Sequence, residues 1–433
     1  MKRIAVVGGG LAGLAAGALL ARDGHRVTIF EGKAELGGMA ASEDHQGYRW
    51  NWGGHALYRR GPGVPVLREL GIRPRGYVVE GAPFMEAWHG GEILPAPFSA
   101  RTALSPLLDG ADRIDMMRAM AAVPRDARGA RLRELDAVPF DAWLDAHVTR
   151  PRVRELVLAL VRLSSFTHDP ARQSASAAVR QLQTSLFGVW YLHDGWQQLV
   201  DGLRQAALDA GAEISARTRV EAIEHDERVR AVHLSDGMRL AVDGVVLAAG
   251  GPRAAAKLLD GPARAIVDGW GDRARPVRAA TYELSLRGLR DGPHVWLLGV
   301  DRPVYVNVHS HFARGVAPEG CTLVQAVRYL GPDEPSAAHR GEIEEALDAA
   351  LPGWRDDVVE ERFLPGLVVM HDTPTAAGGG FSGRPGPLVP GVEGLAVAGD
   401  WVGRRGLLAD AALASAKEAA GLLSAAAVRE AVA

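Results

Sequence analysis

Cysteine is almost absent from this 433-residue chain. Cys321 stands alone, which excludes an intramolecular disulfide and any zinc cluster built on several thiolates. An excess of either charge is missing too: 49 Lys and Arg face 52 Asp and Glu, a formal net charge of -3. No basic field is present to draw a phosphate backbone, so nucleic-acid binding is not expected. No uninterrupted apolar run is long enough to span a bilayer. The apolar N-terminus is broken by Gly8, Gly9, Gly10 and Gly13 and runs straight into a patterned helix, so it reads as a strand and a turn, not as a signal peptide. These absences lead us to expect a cytoplasmic protein, with a peripheral membrane contact left open. What is present is a 47% hydrophobic composition, enough for a substantial core spread over two or three domain-sized units.

Along the chain, Ile4 to Val7 form an apolar run ending in glycines, Leu14 to Leu20 suit a buried helix, and Val27 to Phe30 supply a second strand, so the opening is a β-α-β unit. Ala111 to Arg180 has helical spacing, and Tyr282 to Leu286 and Val304 to Val308 read as strands. Arg228 to Leu234 and Met238 to Val242 flank Ser235-Asp236-Gly237 as a hairpin, and Val245 to Ala249 form a strand apolar enough to be buried. Leu395 to Ala398 form another such strand, Leu413 to Arg429 a helix, and Gly378-Gly379-Gly380 with Pro385 and Pro387 a flexible connection.

Gly8-x-Gly10-x-x-Gly13 follows a strand and opens a helix. The first glycine permits the turn, the second lets the backbone approach a pyrophosphate, and the third allows tight helix packing. The free N–H groups of Leu11 and Ala12 then lie at a helix end that favours anions. Glu31 stands 18 residues beyond Gly13, at the end of the second strand, where a carboxylate accepts hydrogen bonds from ribose hydroxyls. This pattern alone does not separate FAD from NAD. No second such glycine pattern follows a strand, because Gly250-Gly251-Pro252 has neither the spacing nor an open helix start, so a dedicated nicotinamide domain is not expected.

Glu31-Gly32 through the pair Gly37-Gly38 resembles the extended signature of the flavin amine oxidase, protoporphyrinogen oxidase and phytoene desaturase superfamily, with Met39 standing where that family usually carries arginine. Three further stretches carry the same resemblance: YRWNWGGHAL at Tyr48 to Leu57, Gly195-Trp196-x-x-Leu199 followed by Arg219-Val220, and GLAVAGD at Gly394 to Asp400. The resemblance implies an α/β fold of the glutathione-reductase-like kind: a Rossmann-like FAD-binding domain (1–80, 192–255 and 385–433) with an inserted α+β substrate domain (81–191 and 256–384). It implies that Gly37, Gly38, Met39, Gly53, Gly54, His55, Val220, Gly399, Asp400 and the helix start near Ala411 join Gly8, Gly10, Gly13 and Glu31 around FAD; because Cys321 lies outside all these stretches and no histidine is placed at the flavin's methyl edge, the FAD is expected to be held non-covalently.

His55, following the paired glycines, is the candidate for proton transfer, with a backbone-bonding role as its plainer alternative. Trp52 and Trp401 could wall the flavin or pack the core, and Arg404 and Arg405 could meet a phosphate or only solvent. His309 and His311 would share one face of a strand, but without a third ligand no metal site is expected. Many amine oxidases of the family use a substrate-domain lysine, whereas the only lysines here are Lys2, Lys33, Lys257 and Lys417. We therefore expect oxidation of a C–C bond in a small lipophilic substrate lining against Leu156, Leu160 and Leu163, with oxygen, a quinone or another acceptor taking the electrons. An amine oxidase, a redox-neutral flavin isomerase and a non-catalytic FAD-stabilised binding protein remain as alternatives.

Overall fold

The computed structural model describes residues 1–81, 84–288 and 294–432. Its first layer is a five-stranded parallel sheet in the order Glu213–Ser215, Arg26–Phe30, Arg3–Val7, Gly244–Leu247 and Leu395–Val397. The central strands Arg3–Val7 (after Arg3), Gly244–Leu247 and Leu395–Val397 are apolar on both faces, as strands covered on both sides must be. One face packs through Val6, Ile29 and Val246 against the helices Leu11–Arg22, Gln197–Asp209 and Leu408–Val432. The other packs through Ala5, Val7, Val245 and Leu247 against an antiparallel sheet of Val220–His225, Val229–Leu234 and Arg239–Ala241. The helix Leu11–Arg22 can lie close to its sheet because it is built from small residues: a Cβ on Gly17 would sit 2.5 Å from Ile29.

A second, seven-stranded sheet runs in the order Val358–Met370, Val277–Leu286, Thr322–Tyr329, Val304–Val308, Trp296–Gly299, Glu86–His89 and Glu92–Pro95, antiparallel except where Trp296–Gly299 meets Glu86–His89. Period-two alternation divides its side chains. Tyr282, Leu284, Val306, Val324 and Ala326 turn to one face, under Ile343 and Leu347 of the helix Arg340–Ala350. Glu283, Tyr305, Asn307, Gln325, Val327 and Tyr329 turn to the other. That second face looks toward the parallel sheet, with the helices Gly110–Asp126, Pro151–Ser165 and Ala175–Leu186 packed beside it.

Four expectations change. The helix Gly261–Arg273, expected in the inserted part, packs Ala263 and Val267 into the core of the parallel sheet. His309–Phe312 is a turn of helix, so His309 is buried while His311 is exposed, and the two share no strand face. The expected flexible connection at Gly378–Gly380 is a tight turn: a Cβ on Gly383 would lie 1.6 Å from the Gly378 carbonyl oxygen. It is tied to the buried Asp136 carboxylate, which accepts from Ser382 Oγ at 2.5 Å and Phe381 N at 3.2 Å. Finally, the C-terminal helix begins at Leu408, three residues before Ala411.

Candidate functional site

A cavity of about 770 Å³ runs from the C-terminal edge of the parallel sheet to the open face of the second sheet. Gly8, Gly10, Leu11 and Ala12 form its first wall. Gly8 takes φ +111°, and a Cβ on Gly13 would lie 1.8 Å from the Gly8 carbonyl oxygen, so turn and helix meet as only glycines permit. Gly10 is the N-cap and offers no side-chain cap, leaving the Leu11 and Ala12 amides turned toward the cavity. Glu31, Gly32 and Lys33 continue the wall. The Glu31 carboxylate is fixed there by accepting from Gly9 N at 2.8 Å and Lys33 N at 2.9 Å. A backbone cradle of donors beside a clamped carboxylate fits the pyrophosphate and ribose of a dinucleotide.

Gly37, Gly38, Met39, Gly54, His55, Val220, Gly399 and Asp400 also line the cavity. Gly13, Gly53 and Ala411 do not. Gly13 serves packing, and Gly53 faces Leu367 and Thr281 of the second sheet. Ala411 is buried and donates its amide to Leu407 O at 3.3 Å, so the helix's unbonded N–H groups are those of Leu408, Ala409 and Asp410.

The geometry of His55 fits the plainer of its two expected roles, bonding to backbone. Its Nδ1 lies 2.8 Å from Gly53 O and its Nε2 3.1 Å from Met39 O. Burial holds its pKa below the usual value against the pull of those carbonyls. The ring, 4.9 Å from Trp196, joins the turn at Gly37–Met39 to the turn at Gly53–Gly54. Trp52 does line the cavity, whereas Trp401 is core, donating to Gly250 O at 3.1 Å. Arg404 and Arg405 are exposed and lie off the cavity. Among the described residues no group of His, Cys, Asp and Glu could hold a metal ion.

Two ionisable groups here escaped the sequence reading. His371, just past the strand Val358–Met370, donates its backbone N to Asp400 Oδ2 at 3.0 Å and places Nδ1 3.0 Å from Oδ1. Burial works to lower its pKa, but the hydrogen bond and charge of Asp400 prevail and raise it. Asp410, at the start of the C-terminal helix, is fully buried and among the described residues accepts only from Gly63 N at 2.8 Å, so desolvation pushes its pKa up to about 7.

The far end is lined by the second sheet more than by the expected helical insert: Tyr305, Asn307, Gln325, Tyr329 and Leu367 to Val369 come from strands, while Leu163, Phe166 and Tyr191 are the contribution of the insert. Leu156 is core, and Leu160 packs against it. The Tyr191 and Tyr305 hydroxyls meet at 3.1 Å. Asn307 and Gln325, opposite one another on paired strands, are 1% and 2% exposed, yet Asn307 Nδ2 and Oδ1 and Gln325 Nε2 have no hydrogen-bond partner among the described residues. Leaving such a group unmet costs about 1–3 kcal/mol. The sequence signal was available: asparagine and glutamine interrupt the apolar strands VYVNV and TLVQAVRY. The pairing that joins them was not.

Residues 11–277 match the family model described as flavin containing amine oxidoreductase. A protein of Mycobacterium tuberculosis provisionally named a flavin-containing monoamine oxidase is 30% identical over 229 residues, covering 51% of this chain and 50% of the relative. A phytoene dehydrogenase of Streptomyces griseus is 28% identical over 288 residues, 57% of this chain and 54% of the relative. The chain thus spans about half the length of the curated relatives it matches. The crystal structure of an oxidoreductase from Methanosarcina mazei shares the fold with a TM-score of 0.76 at 19% identity, over 96% of this chain and 99% of that one.

Proposed function

The chain belongs to the family of flavin containing amine oxidoreductases, and from that premise we propose that it is an FAD-dependent oxidoreductase acting on an uncharged, largely apolar substrate. Bound FAD would supply a hydride acceptor at its N5. The residues suited to holding it are the Leu11 and Ala12 amides for the pyrophosphate, Glu31 for the ribose, Gly37 to Met39 and Gly54 along the chain of the cofactor, and the His371–Asp400 pair beside it. His55 is a positioning residue that fixes two of those turns. The cofactor body is proposed to combine the N-terminus, the middle segment through Arg273 and the C-terminus.

One observation carries the substrate reading. Every ionisable side chain lining the cavity, tyrosines aside, comes from the dinucleotide end or the helix start near it, and Lys33 is the one lining lysine. An ammonium substrate would find no carboxylate among the described residues lining the far end, since Glu283 beside Gln325 is off the cavity and held by Arg362, whereas a neutral molecule loses only water on entry. Oxidation then removes a hydride and a proton, and oxygen, a quinone or another acceptor must return the protein to its oxidised state. The aromatic walls of Tyr191, Tyr305 and Tyr329 favour a second reading, amine oxidation, because ring faces attract cations. Anaerobic mixing decides between them: conjugated or isoprenoid candidates should bleach the flavin absorbance faster than polyamines or aryl amines. A panel in which amines alone bleach it would overturn the proposal.

A further inference from the structure

We infer that Asn307 and Gln325 form a recognition subsite for a neutral group that both accepts and donates hydrogen bonds, of the amide or lactam kind, so that the substrate is not a plain hydrocarbon. The inference rests on the oxidoreductase reading and narrows its substrate class. Both side chains stand opposite one another in a paired register on the sheet face that closes the cavity, and both line it. They are at least nine-tenths buried, and their unpartnered atoms are two donors and an acceptor. The carbonyl oxygen of an amide matches the donors and its N–H matches the acceptor; a hydrocarbon matches none, and an ammonium lacks the acceptor.

Across the sheet the row continues to Glu283, opposite Gln325 on the same face; this buried carboxylate accepts from Arg362 and from Gly53 N, and desolvation pushes its pKa up to about 7. The other neighbours are apolar or neutral. Tyr305 lies two residues before Asn307 on the same face, and its hydroxyl is already engaged with Tyr191. His309, fully buried against the Tyr191 ring at 5.5 Å, is kept uncharged by desolvation, with its pKa pushed down to about 3. Phe166 and Leu163 close the cavity on the side of the helices. A polar pair set in such walls discriminates strongly, because a ligand without matching groups leaves buried amides unmet.

Isothermal titration of the FAD-loaded protein with three probes of similar size, benzamide, ethylbenzene and benzylamine, tests this. Benzamide should bind at least tenfold more tightly than either of the others, and the double variant Asn307→Leu, Gln325→Met should erase that preference while binding ethylbenzene as well or better. Equal affinity for benzamide and ethylbenzene, or an unchanged benzamide affinity in the variant, would overturn the subsite. So would a shifted flavin spectrum in the ligand-free variant, which would mean that the amides serve the cofactor. Should the double variant not fold, Gln325→Met alone and the wild-type probe comparison still decide. Protein that cannot be loaded with FAD overturns the oxidoreductase reading and this inference with it, whereas loaded protein that treats the three probes alike overturns the subsite alone.

Discussion

At the scale of single residues, the dinucleotide end concentrates its tolerance limits in a few atoms. A Cβ on Gly13 would fall 1.8 Å from Gly8 O, and backbone cannot give way there as a flexible side chain would. Gly13→Ala should therefore destabilise the fold by about 1–3 kcal/mol or more and release FAD, as read by urea unfolding and flavin content. Glu31→Ala should raise the FAD dissociation constant by roughly tenfold to a hundredfold, since a charged hydrogen bond is worth about 1.5–3 kcal/mol; the loss of its bonds to Gly9 N and Lys33 N would also loosen the turn. An unchanged constant would remove Glu31 from the site. Asp410 gives a pH signature. Its folded pKa of about 7 lies above the ordinary 3.8, so between those values the native state holds the extra proton and stability falls as pH rises, levelling off above about 7. Asp410→Asn should flatten that decline, by at most about 4 kcal/mol; parallel wild-type and variant curves of unfolding free energy against pH would refute it.

At the scale of elements, the β-α-β unit was legible because its information is local: apolar runs, three glycines and an acid within about thirty residues. The tie between the strand Val358–Met370 and the turn after Leu395–Val397 was not, since His371 and Asp400 are 29 residues apart and neither belongs to a periodic pattern. That tie is testable. With a folded pKa raised above 6.5, the His371 contribution is fully present below about pH 6.5 and fades as pH climbs through the folded value. The stability difference between wild type and His371→Ala should thus be largest in acid and shrink toward alkaline pH. His309 and His311 show the converse error. Alternation read as strand placed them on one face, but the chain turns helical at His309 and separates them.

At the scale of the whole molecule, the cavity is closed by two bodies meeting, and its lining explains how the cofactor should be held. Cys321 lies off the cavity; of the two lining histidines, His55 has both ring nitrogens against carbonyl oxygens, and His371 is anchored through Nδ1 to Asp400. Acid precipitation should therefore leave the yellow colour in the supernatant; colour retained in the pellet would mean a covalent link.

By itself the sequence determined the glycine turns and the strand–helix–strand unit at the parallel-sheet end of the cavity, because a glycine needed for a turn or a close approach is recognisable wherever the rest of the chain goes. The tertiary structure decided the substrate end. Tyr305, Asn307, Gln325 and Leu367 come together through the pairing order of one sheet, and Tyr191, on a strand of another sheet, meets them by packing across up to 176 residues of sequence. Period-two alternation says which residues share a face of one strand, but not which strand lies beside it or what that face looks upon. The same limit hides which leucines of the insert meet the cavity: Leu156 is core and Leu160 packs against that core, while Leu163 alone of the three lines the cavity.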